Sequence, residues 1–184
     1  MLGIILAAAL AGIDPRASQP FSVTPSDHAP GSCHVRKAAD GMQLPDPNCT
    51  PGAVNPTLTV AILLNPAFRT GMVRDKLTSP AVKMKVYIWY GITPPKDNVG
   101  QNQTCEMDHV VDLASGGADS LDNVWPQCQA PGAPSVAVGN REFKIKDAFA
   151  EHDVMRQVRA GANLADLQRR IAQDWTQFIG TAAK

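Results

Sequence analysis

The stretch between Cys105 and Cys128 constrains this chain more than any other. It begins with Cys105-Glu-Met-Asp108-His109-Val-Val, crosses a loop rich in Gly, Ser and Asp that contains Gly116-Gly117, and resumes an extended run at Asn123-Val124-Trp125. Two β-prone runs around a cluster of turn residues read as strand, loop, strand. Antiparallel partners approach at their open end, so Cys105 is expected to bond to Cys128, leaving Cys33 and Cys49 to close a loop upstream. Zinc is the competing use of four cysteines, but the chain has no Cys-x-x-Cys and the spacings fit no common finger.

Within this stretch the dipeptide Asp108-His109 carries the chemistry. Neighbouring residues on a strand point to opposite faces, so a shared site requires a bulge or a strand end. A carboxylate is a hard oxygen ligand for a divalent cation, and an imidazole titrating near neutrality can take a proton from water.

Asp108-His109, Gly116-Gly117 and Asn123-Val124-Trp125 together resemble the HNH, or ββα-metal, nucleases. The continuation Trp125-Pro126-Gln127 and the later Lys146-Asp147, which leads a helix, are similar to a secreted or envelope bacterial HNH-like subgroup. The likeness runs from Cys49-Thr-Pro-Gly-Ala-Val-Asn55 to Trp175. It implies an α+β fold, with a two-stranded antiparallel ribbon and a helix as its ββα core and additional helices packed around it. It also implies a metal-dependent endonuclease acting on DNA or RNA. His109 would be the general base, Asp108 a ligand for Mg²⁺, Mn²⁺, Ni²⁺ or Zn²⁺, and Asn123 the residue that pins the loop and fixes the His ring. The family takes a second ligand from the following helix, and Asn140 is the nearest match, ahead of Glu142 and His152. The charges mixed on that helix, Lys144, Lys146, Arg156 and Arg159 with Glu142, Asp147, Glu151 and Asp153, read as a solvated, paired face, with contact of Lys144 or Lys146 to phosphate as the alternative.

The chain divides into an apolar start, 1–13, a proline-rich arm, 14–48, and a nuclease-like domain, 49–184. The run Leu2 to Ile13 is too short to span a bilayer and carries Ala9-Leu10-Ala11, which fits a cleaved export signal, although no Lys or Arg precedes it. Nine of the fifteen prolines fall between Asp14 and Pro66, so this part is expected to be irregular or extended, with Pro15 to Pro30 as a linker. Seventeen basic residues balance seventeen acidic ones, which excludes a global field drawing in nucleic acid. A local excess lies between Phe68 and Gly100, where Arg69, Arg74, Lys76, Lys83, Lys85 and Lys96 face only Asp75 and Asp97. Such an excess suits either a phosphate-facing side or an ordinary solvated surface.

Thr57 to Ile62 alternates loosely and reads as a strand or extended strap. Ser79-Pro80 and Gly91 are start and stop signals for a helix whose Trp89 and Tyr90 suit either core packing or base stacking. Gln129 to Gly139 reads as a loop. Arg141 to Ala160 reads as a helix with Ile145, Phe149, Met155 and Val158 on one stripe, and Asn163 caps a last helix running to Gly180. Two further readings stand beside the nuclease: an exported ββα scaffold without catalysis, and a disulfide-stabilised secreted protein in which His109 and Asn123 only satisfy a loop.

Overall fold

A computed structural model describes residues 27–75, 78, 80–129 and 137–180. The signal-like run, the arm before Asp27, Lys76, Ser79 of the helix start signal and most of the Gln129–Gly139 loop lie outside the described residues. The protein is α+β. Strand β1 (Arg36–Lys37) pairs antiparallel with β2 (Gln43–Leu44), and β3 (Cys105–His109) with β4 (Val124–Cys128). Helices are α1 (Val60–Leu63), α2 (Pro80–Trp89), α3 (Glu142–Ile145), α4 (His152–Arg159) and α5 (Leu164–Gln173). A π-helical turn, Lys146–Glu151, joins α3 to α4 in one continuous helix.

The β3–β4 ribbon has unbroken register from Cys105 opposite Cys128 to His109 opposite Val124, and the Cys105–Cys128 disulfide closes its open end. Cys33 and Cys49 form the second disulfide. Both pairings follow the expectation from sequence. The loop between the strands needs its two glycines for different reasons. Gly116 adopts φ +87°, a left-handed conformation that disfavours a side chain, whereas a Cβ on Gly117 would lie 1.9 Å from the Val111 carbonyl oxygen.

Alternation along the chain leaving β3 sends Val110 and Val111 into separate cores. Val110, with Leu121, Val124 and Trp125, packs against Val86, Trp89 and Tyr90 of the α2 region. Val111 and Leu113 pack into a larger cluster with Ala150, Val154 and Val158 of the long helix, Leu167 and Ile171 of α5, and Trp175. The ribbon and its loop are thus held between helices on both sides. Trp89 and Tyr90 are buried core residues, and the Tyr90 hydroxyl, 2.7 Å from Thr50 Oγ1, accepts from the Asp46 amide, so neither ring is a surface for stacking bases. The described part of the arm also packs inward. Leu44 enters the larger core and the Gln43 side chain donates to the Cys128 carbonyl at 2.6 Å.

Three expectations need correction. The Thr57–Ile62 run is neither strand nor strap, because the Thr59 side chain accepts from the Ile62 amide and starts the short helix α1. The last helix stops at Gln173. Asp174 is extended there and its carboxylate caps a separate 3₁₀ turn, Trp175–Phe178. In the long helix the expected stripe breaks at the π turn, whose i→i+5 repeat inserts one residue. Phe149 is therefore 46% exposed and Ala150 takes the inward position.

Candidate functional site

The site forms where β3 ends. The regular register shows no bulge at Asp108-His109, yet both side chains line one cavity of about 200 Å³, because His109 is the last residue of the strand. Glu106, Asp112, Asp147 and Glu151 line it too, with Arg74 and Thr70 on another wall. That volume is several times the ~30 Å³ that a water molecule occupies in the liquid.

Asn123 holds the loop that shapes this cavity. It is fully buried, accepts from the Val111 amide at 2.9 Å, and donates to the carbonyls of Val111 at 2.8 Å and Ala118 at 2.7 Å. It pins the loop as the resemblance implies, but it makes no bond to the His109 ring. That contact belongs to Asp119, which the sequence reading passed over. His109 Nε2 lies 2.9 Å from Asp119 Oδ1, and the Lys83 ammonium donates to the same oxygen at 2.7 Å.

The electrostatics of the two groups are complementary. Burial favours an uncharged His109 and outweighs the Asp119 bond, with Lys83 and Arg74 adding to the effect, so its pKa is lowered. Burial works against ionisation of Asp119, but the bonds from His109 and Lys83 prevail and hold its carboxyl well below the usual range. Near neutrality the pair is therefore a neutral imidazole against a carboxylate.

On the other side of the cavity the π turn places Asp147 and Glu151 beside Asp108. Each of these three residues offers a carboxylate oxygen, all within 4.8 Å of one another. Lys146, fully buried, directs its ammonium to the His109 carbonyl at 2.8 Å, Glu151 Oε1 at 2.9 Å and Asp108 Oδ2 at 3.0 Å. The five-residue step from Lys146 to Glu151 matches the π repeat. Lys144 binds Asp147 Oδ2 at 3.1 Å and Glu106 Oε2 at 2.7 Å, and the Trp125 indole donates to Asp108 Oδ2 at 3.3 Å. Each of the three carboxylates is thus anchored through one oxygen, while its second oxygen has no partner among the described residues.

Burial pushes the Asp108 carboxyl up to about 6, with Lys146 pulling the other way, and pushes Glu151 up to about 8 against the same pull. Burial alone would favour a neutral Lys146 amine, but the charges of Asp108, Glu151 and Asp112 outweigh it and raise its pKa. Three acids around one ammonium retain a proton to unusually high pH. Asp112 adds a further sign of unmet charge, since its Oδ2 is buried with no hydrogen-bond partner.

The remaining residues singled out from sequence lie as follows. Asn140 is exposed in a 3₁₀ turn and does not line the cavity. Glu142 accepts from the Gln43 amide at 2.7 Å, and His152 lines a different cavity beside Phe149 and Phe178. Lys146 has three donors and all are engaged inside the protein, so none is left for phosphate. In the basic segment, Arg74 reaches the cavity wall, Arg69 bonds the carbonyls of Pro66 and Phe68, and Lys85 is exposed.

The donor set fits a hard divalent ion: three carboxylates, each with an oxygen to spare, in a cavity whose buried acids hold protons that a cation would displace. Among the described residues no helix is long and apolar enough to cross a membrane. The two disulfides are consistent with an oxidising compartment. Compared with family models, curated proteins and solved structures, the chain finds no match.

Proposed function

We propose that this protein is a divalent-metal-dependent phosphodiesterase of HNH type, exported from the cell, that hydrolyses DNA or RNA. One observation carries the reading. His109 and the trio Asp108, Asp147 and Glu151 share one cavity, with the imidazole neutral and the carboxylates each keeping an oxygen unpaired. Asp147 and Glu151 take the ligand role for which the family resemblance offered Asn140, and an all-oxygen set favours Mg²⁺ or Mn²⁺ over softer-ligand ions. A bound ion would stabilise charge developing on phosphate and leaving oxygen.

The protein's own groups do the rest. His109 accepts the proton of the attacking water. Arg74, the cationic residue on the cavity wall, offers donors to a non-bridging phosphate oxygen. Asn123 acts through geometry alone, by fixing the loop. Lys146 and Lys144 orient the carboxylates and do not touch substrate.

Cleavage of supercoiled plasmid and of single-stranded RNA, with Mg²⁺ or Mn²⁺ added, tests the reading. His109→Ala should keep the fold and lose metal-stimulated cleavage. Equal cleavage by wild type and variant would sink it.

The Lys146 ammonium favours a second reading, since it already supplies positive charge to Asp108 and Glu151. On that view the chain keeps the scaffold as an exported binding or structural module. Absence of both metal binding and cleavage in folded wild-type protein selects it.

A further inference from the structure

We infer that Asp119 is a positioning residue that fixes the proton of His109 on Nε2, so that Nδ1 is the atom that receives the proton of the attacking water. The inference rests on the hydrolytic reading above for its catalytic half, but its structural half stands without any substrate.

Four hydrogen bonds fix Asp119 in place. Its Oδ1 faces His109 Nε2 at 2.9 Å and Lys83 Nζ at 2.7 Å, its Oδ2 accepts from the Asp75 amide at 2.9 Å, and its carbonyl accepts from the Thr78 hydroxyl at 2.6 Å. Its carboxylate is clamped between the start of α2 and the segment that carries Arg74, so it cannot turn to follow the imidazole. The ring must adapt to the carboxylate.

An ionised carboxylate only accepts, so the ring nitrogen facing it must donate. That assigns the proton to Nε2 and leaves Nδ1 with its lone pair. Nδ1 has no hydrogen-bond partner among the described residues, and His109 lines the carboxylate-walled cavity. Base and orienter lie in the order seen in other imidazole bases, where a carboxylate selects the tautomer and steadies the imidazolium that forms.

In the step itself a water O–H bond breaks and its proton passes to Nδ1. The hydroxide oxygen bonds to phosphorus, and the P–O bond to the leaving oxygen breaks with its electron pair. The leaving oxygen takes a proton from solvent. The imidazolium left behind is held at Nε2 by the Asp119 carboxylate.

Substitution by asparagine isolates this role. Lys83 donates to the Oδ1 place and the Asp75 amide to the Oδ2 place, so an asparagine NH₂ opposes a donor on either side, and the charge that steadies the imidazolium is gone. Such a swap in a carboxylate-oriented histidine lowers kcat by up to roughly 10⁴-fold with geometry retained.

The test is a long-range ¹H–¹⁵N correlation spectrum of the His109 ring in ¹⁵N-labelled full-length protein, run beside plasmid cleavage with Mn²⁺. Wild type should show the Nε2–H tautomer. Asp119→Asn should lower kcat on the order of 10²–10⁴-fold with KM within about twofold. A wild-type ring protonated on Nδ1 overturns the inference, whether or not the chain cleaves anything and whether or not the variant folds. An unchanged kcat in folded Asp119→Asn overturns it as well. If His109→Ala cleaves like wild type while the wild-type ring is Nε2–H, the hydrolytic reading fails and the orienting contact remains.

Discussion

Replacing Asn123 with alanine should destabilise the protein more than its position in a surface-connecting loop suggests. The side chain makes three hydrogen bonds to backbone groups of Val111 and Ala118, none longer than 2.9 Å, at a site with no solvent access. A typical net contribution is about 1 kcal/mol per bond, and a buried group left unpaired costs about 1–3 kcal/mol. Since relaxation lets part of the loop find new partners, we expect a total loss of about 3–5 kcal/mol. For a chain of this size each kcal/mol moves Tm by about 2–4 °C, so the midpoint should fall by about 6–20 °C. Aspartate is the sharper control. It keeps an acceptor for the Val111 amide but turns a second oxygen toward two carbonyls, and should be at least as destabilising as alanine at neutral pH. Urea unfolding followed by circular dichroism, with m unchanged, gives the comparison. An alanine loss under about 1 kcal/mol, or an aspartate variant as stable as wild type, would refute the claim that these bonds hold the loop.

Other outcomes follow from the same geometry. Gly117→Ala should fail to reach the native fold or lose more than about 4 kcal/mol, measured by denaturant midpoint, because its Cβ meets the Val111 carbonyl oxygen at 1.9 Å. Lys146→Met should destabilise the metal-free protein by about 3–5 kcal/mol, since it strands Asp108 and Glu151 without their ammonium. The acid cluster sets a pH trend. Asp108 and Glu151 have folded pKa values above their unfolded ones, so the native state binds more protons and their stabilising contribution declines as pH rises toward about 6 and about 8. Tm without metal should therefore fall between about pH 5 and pH 8, and saturating Mn²⁺ should flatten the slope. A slope of the opposite sign would contradict the assignment.

Much of the frame was legible because it depends on local chemistry. Gly116 and Gly117, Pro80 with Gly91 and the capping Asn163 each act within a few residues of themselves, and the bracketing cysteines, 23 residues apart, are brought together by the ribbon between them. They gave the ribbon, both disulfides, helix α2 with both its ends and helix α5 with its start. The parts that were missed depend on what the chain brings together from afar. Asp119 sits in a loop with no periodicity and meets His109 and Lys83 only after the ribbon and α2 have packed. Asp147 and Glu151 are four apart and share a helix face, yet they read as ordinary solvated partners of the neighbouring lysines. The π turn explains why: one extra residue rotates Lys146 inward and Phe149 outward, and nothing in an apolar stripe announces that shift. Asn140 matched a family pattern by order along the chain, whereas the fold leaves it exposed in a turn outside the cavity.

Calorimetric titration of Mn²⁺ into metal-free wild-type protein and into the Asp147→Asn/Glu151→Gln double variant tests the central claim most directly. One ion per chain should bind to wild type with proton release that grows as pH falls from about 8 toward 6, because the ion displaces protons from the acid cluster. The double variant, which keeps Asp108 and His109, should lose at least about tenfold in affinity. No binding to wild type, or equal affinity in the two proteins, would contradict a metal centre at the end of β3.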